Sequence, residues 1–501
     1  MSNREYDVII IGSGLGGLLC GAFLSRNGFR VCVLEKHSKI GGNLQTFTRK
    51  GVKFNSAMHY VGGLDRGQIL QRVFSYLGII DRTGTERMDS SGYEIVYIGD
   101  EVYSHANGEE EYRERLLTYF PEERKAITKY LSTIQDVWNS THILNLEDFR
   151  NLYEMDTHYT RENAFNFIDG LTRNVNLKAL WGTTSALYAG VQGVSPLITH
   201  GIISYHYLQS AYKLSKGSDI IAGALRDVIT ESGGCVQINK EVITLQFEGN
   251  RASAAVTGDG SVIPGKSFIS DIHPSRTLKL IEPGRFRKAY IRRVEGLENT
   301  IGAFCTYILL KKGKLKNINA NVFVSEGTDV WFAGSYDRMK WPSACMLYTT
   351  PDRTDPEFAE TMVISTFMKY GELKKWENTT VENRGRDYQL FKEQKAEALI
   401  DLVDSKLSGT REAVEEYYTA SPLTFRDYTG IPEGSVYGIL KDCNHPRNSY
   451  ISPNTRVPNL FLTGQNSGVG LHGVLGVTVS AILTCANFVD IGPVLKKMKN
   501  E

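Results

Sequence analysis

Apolar positions fall into three rhythms along the 501 residues of this chain. In the first, they run without alternation. Val8-Ile9-Ile10-Ile11, after Asp7, and Val31-Cys32-Val33-Leu34 read as parallel strands covered on both faces. The second rhythm is helical. Leu18, Leu19, Ala22 and Phe23 share one helix face, and Asn27-Gly28 ends that helix. Ile127, Tyr130, Leu131, Ile134, Val137 and Trp138 form a second such face behind Pro121, and Ile220, Ile221, Ala224, Leu225, Val228 and Ile229 form a third before Gly233-Gly234. The third rhythm is of short strands with turns at Gly249-Asn250 and Gly258-Asp259-Gly260. Further on, residues 288–440 read as strand-rich and then helical over Leu390–Leu407, Leu460–Leu462 reads as a strand, and a helix begins near Gly473.

The join between the first strand and the first helix carries candidate chemistry. Gly12, Gly14 and Gly17 stand in G-x-G-x-x-G spacing, with Leu15 and Gly16 among them. The first glycine allows a sharp turn, the second lets backbone approach a pyrophosphate, and the third lets the helix pack on the strand. Glu35 ends the second strand eighteen positions past Gly17, where a carboxylate accepts ribose hydroxyls and repels a 2′-phosphate. Strand, glycines, helix, strand and acid together predict a dinucleotide site, which the glycines alone would not. Gly41-Gly42, followed by Asn43, let a second stretch of backbone pass close to a ligand lying along the first helix.

Composition narrows the setting. The length favours two or three domains. Lysine plus arginine number 57 against 56 for aspartate plus glutamate, which gives no electrostatic reason to expect nucleic acid. The seven cysteines are scattered, with no C-x-x-C pair and no histidines at metal-ligand spacing, so they read as reduced thiols and no metal site is expected. The opening MSNREYDV lacks a signal-peptide stretch, and no run approaches the roughly 18–20 apolar residues of a membrane span, so a cytoplasmic location is expected. The closing GPVLKKMKNE reads as a solvated basic end, with peripheral contact to anionic headgroups as the alternative.

These motifs, with PNLFLTGQNSGVGLHGVLGVTVS (458–480), FNSAMHYVGG (54–63) and the Thr424, Tyr428, Thr429, Gly430 run of SPLTFRDYTG, resemble the FAD-dependent phytoene desaturase, carotenoid isomerase and retinol saturase family over nearly the whole length. The last two stretches are most similar to the retinol saturase branch. The resemblance implies an α/β fold: a Rossmann-like, two-dinucleotide-binding FAD domain (parallel sheet plus β-meander) with an inserted α+β substrate-binding cap. The expected division is 1–94, 215–287 and 441–492 for the FAD domain, and 95–214 with 288–440 for the cap. The resemblance also implies that Leu15, Gly16, Lys36 and Asn43 share the FAD with the glycines and Glu35, and that Val242 packs on the adenine. Gly464 and Gln465 would meet the ribityl-phosphate region. Gly473, Val474 and Leu475 would lie under the pyrimidine edge, at a helix N-terminus that favours the anionic reduced flavin. Two positions depart from many relatives: Asn43 stands where a basic residue often follows the glycine pair, and Gln465 where an acid often follows the strand-end glycine.

The implied chemistry is redox at a carbon–carbon double bond of an apolar polyene or isoprenoid lipid, with hydride exchange at flavin N5 and a proton moved at the neighbouring carbon. Saturation is expected, with desaturation or cis–trans isomerisation as alternatives. A non-catalytic prenyl-lipid binder of the Rab GDP-dissociation inhibitor type is the alternative of another class. Candidate proton donors are His59 and Tyr60 in the extended segment 51–64, His472 before the flavin-facing helix, and His206. Tyr205, Tyr207, Tyr212, Tyr348 and Tyr437 are candidates to line a lipid tunnel. No second G-x-G-x-x-G follows a strand, so electrons are expected from an external donor: NAD(P)H, a redox protein or a quinone.

Overall fold

The computed structural model describes residues 5–147, 158–334, 336–468 and 471–501, organised on two seven-stranded sheets. The first grows from the unbroken apolar runs. Cys235–Gln237, Val31–Leu34, Tyr6–Ile11 and Val262–Ser270 lie parallel in that order, and Leu460–Leu462 adds a fifth parallel strand. Both faces are covered, which is why these strands show no alternation. Val8, Ile10, Val31 and Val33 pack under the helices Leu15–Arg26, Asp219–Glu231 and Gly473–Cys485. Ile9, Ile11, Cys32 and Leu34 pack against the strands Val242–Glu248 and Arg251–Thr257 and the segment around Leu280 and Phe286.

Those two strands form a β-meander with the start of Val262–Ser270. Asn459 seals the fork where the meander leaves the parallel sheet. Its amide donates to the carbonyls of Ala252 (2.8 Å) and Lys266 (2.7 Å), and its oxygen accepts the Ala252 N–H at 3.0 Å.

The second sheet runs in the order Val414–Ala420, Gly302–Leu310, Ala359–Met368, Ala344–Pro351, Asn321–Ser325, Glu94–Ile98, Glu101–His105. It is antiparallel except between Asn321–Ser325 and Glu94–Ile98. Helices Arg124–Asn139, Val175–Gly182 and Leu197–Gln209 gather beside it around Trp181 and Tyr130, whose rings stack with centroids 4.3 Å apart. Tyr60–Gly62, Ala211–Lys213 and Glu86–Arg87 make a small sheet joining the two regions. Parallel sheet, meander and inserted α+β cap are the fold class expected from the sequence.

Three boundaries differ from expectation. The helix expected over Leu390–Leu407 spans Arg386–Asp404, because Gly385, with φ of 81°, begins it and Asp387 favours its first turn. The helix Lys288–Glu295, expected in the cap, packs through Tyr290, Ile291 and Val294 on the first region. The C-terminal end is an amphipathic helix, Ile491–Lys499, rather than a solvated tail. It buries Val494, Leu495 and Met498 in the core shared with the helix Ile69–Leu77, with Lys496, Lys497 and Lys499 in its last turn. No helix among the described residues is long and apolar enough to cross a membrane.

Candidate dinucleotide and substrate site

The first strand leads into a turn at Gly12, whose φ of 95° is open to glycine at little cost. A Cβ on Gly17 would lie 2.2 Å from the Gly12 carbonyl oxygen, so close helix–strand packing demands the third glycine. Gly41 donates its N–H to the Ser13 carbonyl at 2.9 Å, and a Cβ on Gly42 would come within 3.3 Å of the Gly14 Cα. The glycine pair therefore lies directly against the first turn. Glu35 is fixed from the same loop: its carboxylate accepts the Ser13 N–H (3.0 Å), the Ser13 hydroxyl (2.6 Å) and the His37 N–H (2.9 Å). Two carboxylate oxygens have about four acceptor sites, so capacity remains for a ribose hydroxyl.

The C-terminal stretch completes the cradle. Cys20 in the first helix donates its thiol to the Thr463 hydroxyl at 3.5 Å. The backbone of Gly464 stands 3.0 Å from where a Cβ on Gly16 would be.

Asp271, which follows the strand Val262–Ser270, is the residue that sequence reasoning missed. A Cβ on Gly14 would sit 2.4 Å from its Oδ2, and one on Gly16 or Gly464 would sit 2.5 Å from its Oδ1. Gly14 was expected to make room for a pyrophosphate; in the structure, the direction its side chain would take is filled by this carboxyl. Burial pushes Asp271 up to about 7; the Gly17 N–H opposes the shift and the charge of Glu35 adds to it.

From this cradle a cavity of about 920 Å³ runs between the two regions into the cap. Its volume lies near the top of the range for ligand sites, roughly 300–1,000 Å³. Gly12, Gly14, Leu15, Gly16, Glu35 and Lys36 border it, as do Gly41, Gly42, Asn43 and Val242. The C-terminal stretch contributes Gly464, Gln465, Gly473, Val474 and Leu475. Gly17 is beneath the cradle rather than on its surface. Side-chain-free backbone, a helix N-terminus and a strand-end acid along one elongated cavity fit a dinucleotide. The cap end is apolar, with Val96, Leu187, Phe323, Val330, Phe332 and Phe367 in its wall.

His59, Tyr60, His206 and His472 border the cavity where cradle and cap meet. Burial depresses His59 to about 4, with Lys213 adding slightly, and His206 to about 3. His472 falls to about 3 through burial and the neighbouring Lys441. All three are neutral imidazoles near pH 7 and hold no cationic proton to give. His59 Nε2, His206 Nδ1 and His472 Nδ1 are buried without a hydrogen-bond partner among the described residues.

Tyr60 is different. Its hydroxyl, raised well above its ordinary value by burial, donates to Glu94 at 3.0 Å, and the other Glu94 oxygen meets His105 Nδ1 at 2.8 Å. Glu94 and His105 face each other across one hairpin, a pairing invisible without the strand register. Of the five candidate tunnel tyrosines, Tyr207 and Tyr437 reach the cavity. Tyr205, Tyr212 and Tyr348 do not border it; Tyr348 instead backs His59, ring on ring, with centroids 4.2 Å apart.

Fold and cradle define a dinucleotide-binding protein with an inserted cap. Residues 10–77 match the family model of the NAD(P)-binding Rossmann-like domain. The all-trans-retinol 13,14-reductase of Danio rerio is 24% identical, over 97% of this chain and 86% of its own length. The chloroplastic prolycopene isomerase of Daucus carota is 24% identical, over 98% and 81%. Among solved structures, an oxidoreductase from Methanosarcina mazei covers 95% of this chain and 99% of its own, with a TM-score of 0.65 and 16% identity. The retinol 13,14-reductases and prolycopene isomerases are thus homologues of this chain, as its motifs led one to expect.

Proposed function

We propose that the chain is an FAD-dependent oxidoreductase that saturates a carbon–carbon double bond in an apolar polyene or isoprenoid lipid. The observation that carries this reading is the single cavity joining a dinucleotide cradle to an apolar cap. A polyene fits the apolar end, and homology to enzymes named for retinol and prolycopene supports that substrate class.

In this reading Glu35 accepts the ribose hydroxyls and the N-terminus of Leu15–Arg26 receives the pyrophosphate. Val242 meets the adenine, Gly464 and Gln465 meet the ribityl chain, and the start of Gly473–Cys485 faces the flavin ring. Bound FAD supplies a redox centre that exchanges a hydride with the alkene. The cap excludes water and orients the chain, while the neutral histidines limit stray protonation near the ring.

Tyr60 is the proton donor we favour, because its O–H lies where cradle and cap meet; the phenolate left behind regains its proton from solvent once product leaves. Electrons come from an external donor: NAD(P)H, a redox protein or a quinone. The location is cytoplasmic, with the lysines of Ile491–Lys499 available to a membrane surface that delivers the lipid.

Two measurements test the reading. Purified protein should be yellow and release FAD on denaturation; a colourless protein that cannot be reconstituted would turn the reading toward a lipid binder. Reduced, anaerobic protein mixed with candidate polyenes should yield a product heavier by two hydrogens. Loss of two hydrogens identifies a desaturase, and unchanged mass with altered double-bond geometry an isomerase.

A further inference from the structure

Asp271 is an acidic side chain at the place least suited to one. A dinucleotide brings its phosphate charges to the N-terminus of the helix Leu15–Arg26, whose free N–H groups attract anions. Asp271 already stands there: its oxygens lie against Gly14, Gly16 and Gly464, and it accepts the Gly17 N–H. Its side chain borders the same cavity as the glycines, so a bound pyrophosphate and this carboxyl share one small volume.

Little in the surroundings would neutralise an ionised Asp271. The glycine segment 12–17 and the segment 463–465 carry no ionisable side chain. From the neighbouring strand tip, Glu35 adds a second negative charge. On its own segment, His273 is depressed to about 4 by burial, and Arg276 borders the cavity without an ion pair to Asp271.

We propose that Asp271 is a cofactor-binding residue that meets the dinucleotide as a neutral acid, so that loading the cofactor takes up one proton. An ionised carboxylate here repels phosphate and competes for the Gly17 N–H. The protonated acid carries no charge and offers an O–H donor to an anion instead. The proton comes from solvent and stays on the Asp271 carboxyl, with no bond made or broken in the cofactor. The direction of the shift already present without ligand agrees: Asp271 stands at about 7, and nearby phosphates raise it further. Below that value the free protein is already protonated and affinity is flat. Above it each molecule bound draws in a proton, and affinity falls by up to about tenfold per pH unit.

This inference rests on the dinucleotide reading, with FAD as the probe. Full-length protein stripped of flavin is titrated with FAD between about pH 6 and 9, following the quenching of flavin fluorescence. The Kd is expected to be flat below about pH 7 and to rise above it. Calorimetry near pH 8, in two buffers of different ionisation heat, is expected to register close to one proton taken up per FAD. Asp271→Asn keeps the shape, cannot ionise, and is expected to bind with a pH-flat Kd that is tighter than native in the alkaline range. A flat native Kd with no proton uptake overturns the inference and leaves FAD binding intact. An Asn variant with the native pH slope removes Asp271 from it. Failure to bind FAD at any pH overturns both this inference and the reading beneath it. The calorimetric result on the native chain decides the matter even if the variant does not fold.

Discussion

The cradle around Gly12–Gly17 and the cap around Trp181 are tight for opposite reasons. In the cradle the structure depends on atoms that are missing: a single Cβ on Gly14, Gly16, Gly17 or Gly464 would lie within 2.6 Å of Asp271 or of the Gly12 carbonyl. In the cap it depends on atoms that are present, since Trp181, Tyr130 and Phe304 are each at most 2% exposed and fill their surroundings. Backbone shape makes a reusable site for phosphates and ribose, which are alike in every dinucleotide. Side-chain volume shapes an apolar space around one kind of ligand. Adding a carbon should therefore damage the first region, and removing carbons the second.

Acid should produce the largest effect, acting on the cap and on the seam between the regions together. His59, His200, His206 and His472 are held neutral, with values of about 3 to 4 against an ordinary 6.5. The unfolded chain binds protons that the folded chain refuses. Their stabilising contribution is thus complete above pH 6.5 and is lost as pH falls toward 4, by up to about 1.4 kcal/mol per pH unit for each histidine. Urea unfolding at a series of pH values measures this, and equal stability at both ends of the window would contradict it.

Trp181→Ala comes next. It should cost about 3–5 kcal/mol of stability, visible in thermal melting, while folded protein keeps most of its FAD affinity. Gly16→Ala should do the reverse. The fold persists, but FAD affinity drops by about 1–3 kcal/mol, roughly 5- to 150-fold, because Asp271 and Gly464 have to move. If Gly16→Ala leaves affinity untouched, the cradle does not hold the cofactor. Glu35→Gln should be mildest, roughly 0.5–1.5 kcal/mol in affinity, since one oxygen still accepts while the new amide faces a backbone donor.

How much of this was legible beforehand follows the same division. The nucleotide region is written locally: Gly12, Gly14, Gly17 and Glu35 fall in one stretch, and their spacing is itself the geometry. Gly41-Gly42 and Gly464 could be placed by resemblance. Asp271 could not, because its position among the glycines arises only when the strand Val262–Ser270 pairs with Tyr6–Ile11. Glu94 and His105 were hidden for a related reason, being neighbours only through hairpin register. The same limit explains why two of the five tyrosines reach the cavity: which face a cap residue presents depends on long-range pairing. Lys288–Glu295 was grouped with the cap stretch that follows it, and its packing on the first region through Tyr290, Ile291 and Val294 appears only in the folded chain.

The hydrogen bond from Cys20 to Thr463 joins residues 443 positions apart. Ribosomes add roughly 5–20 residues per second, so the first glycine turn leaves the exit tunnel on the order of 20–90 s before its C-terminal partner exists. During that interval the emerging chain carries an open, apolar-edged half of a nucleotide pocket. Any chaperone that guards it, and any dinucleotide that arrives early, meets a protein that is not yet able to close.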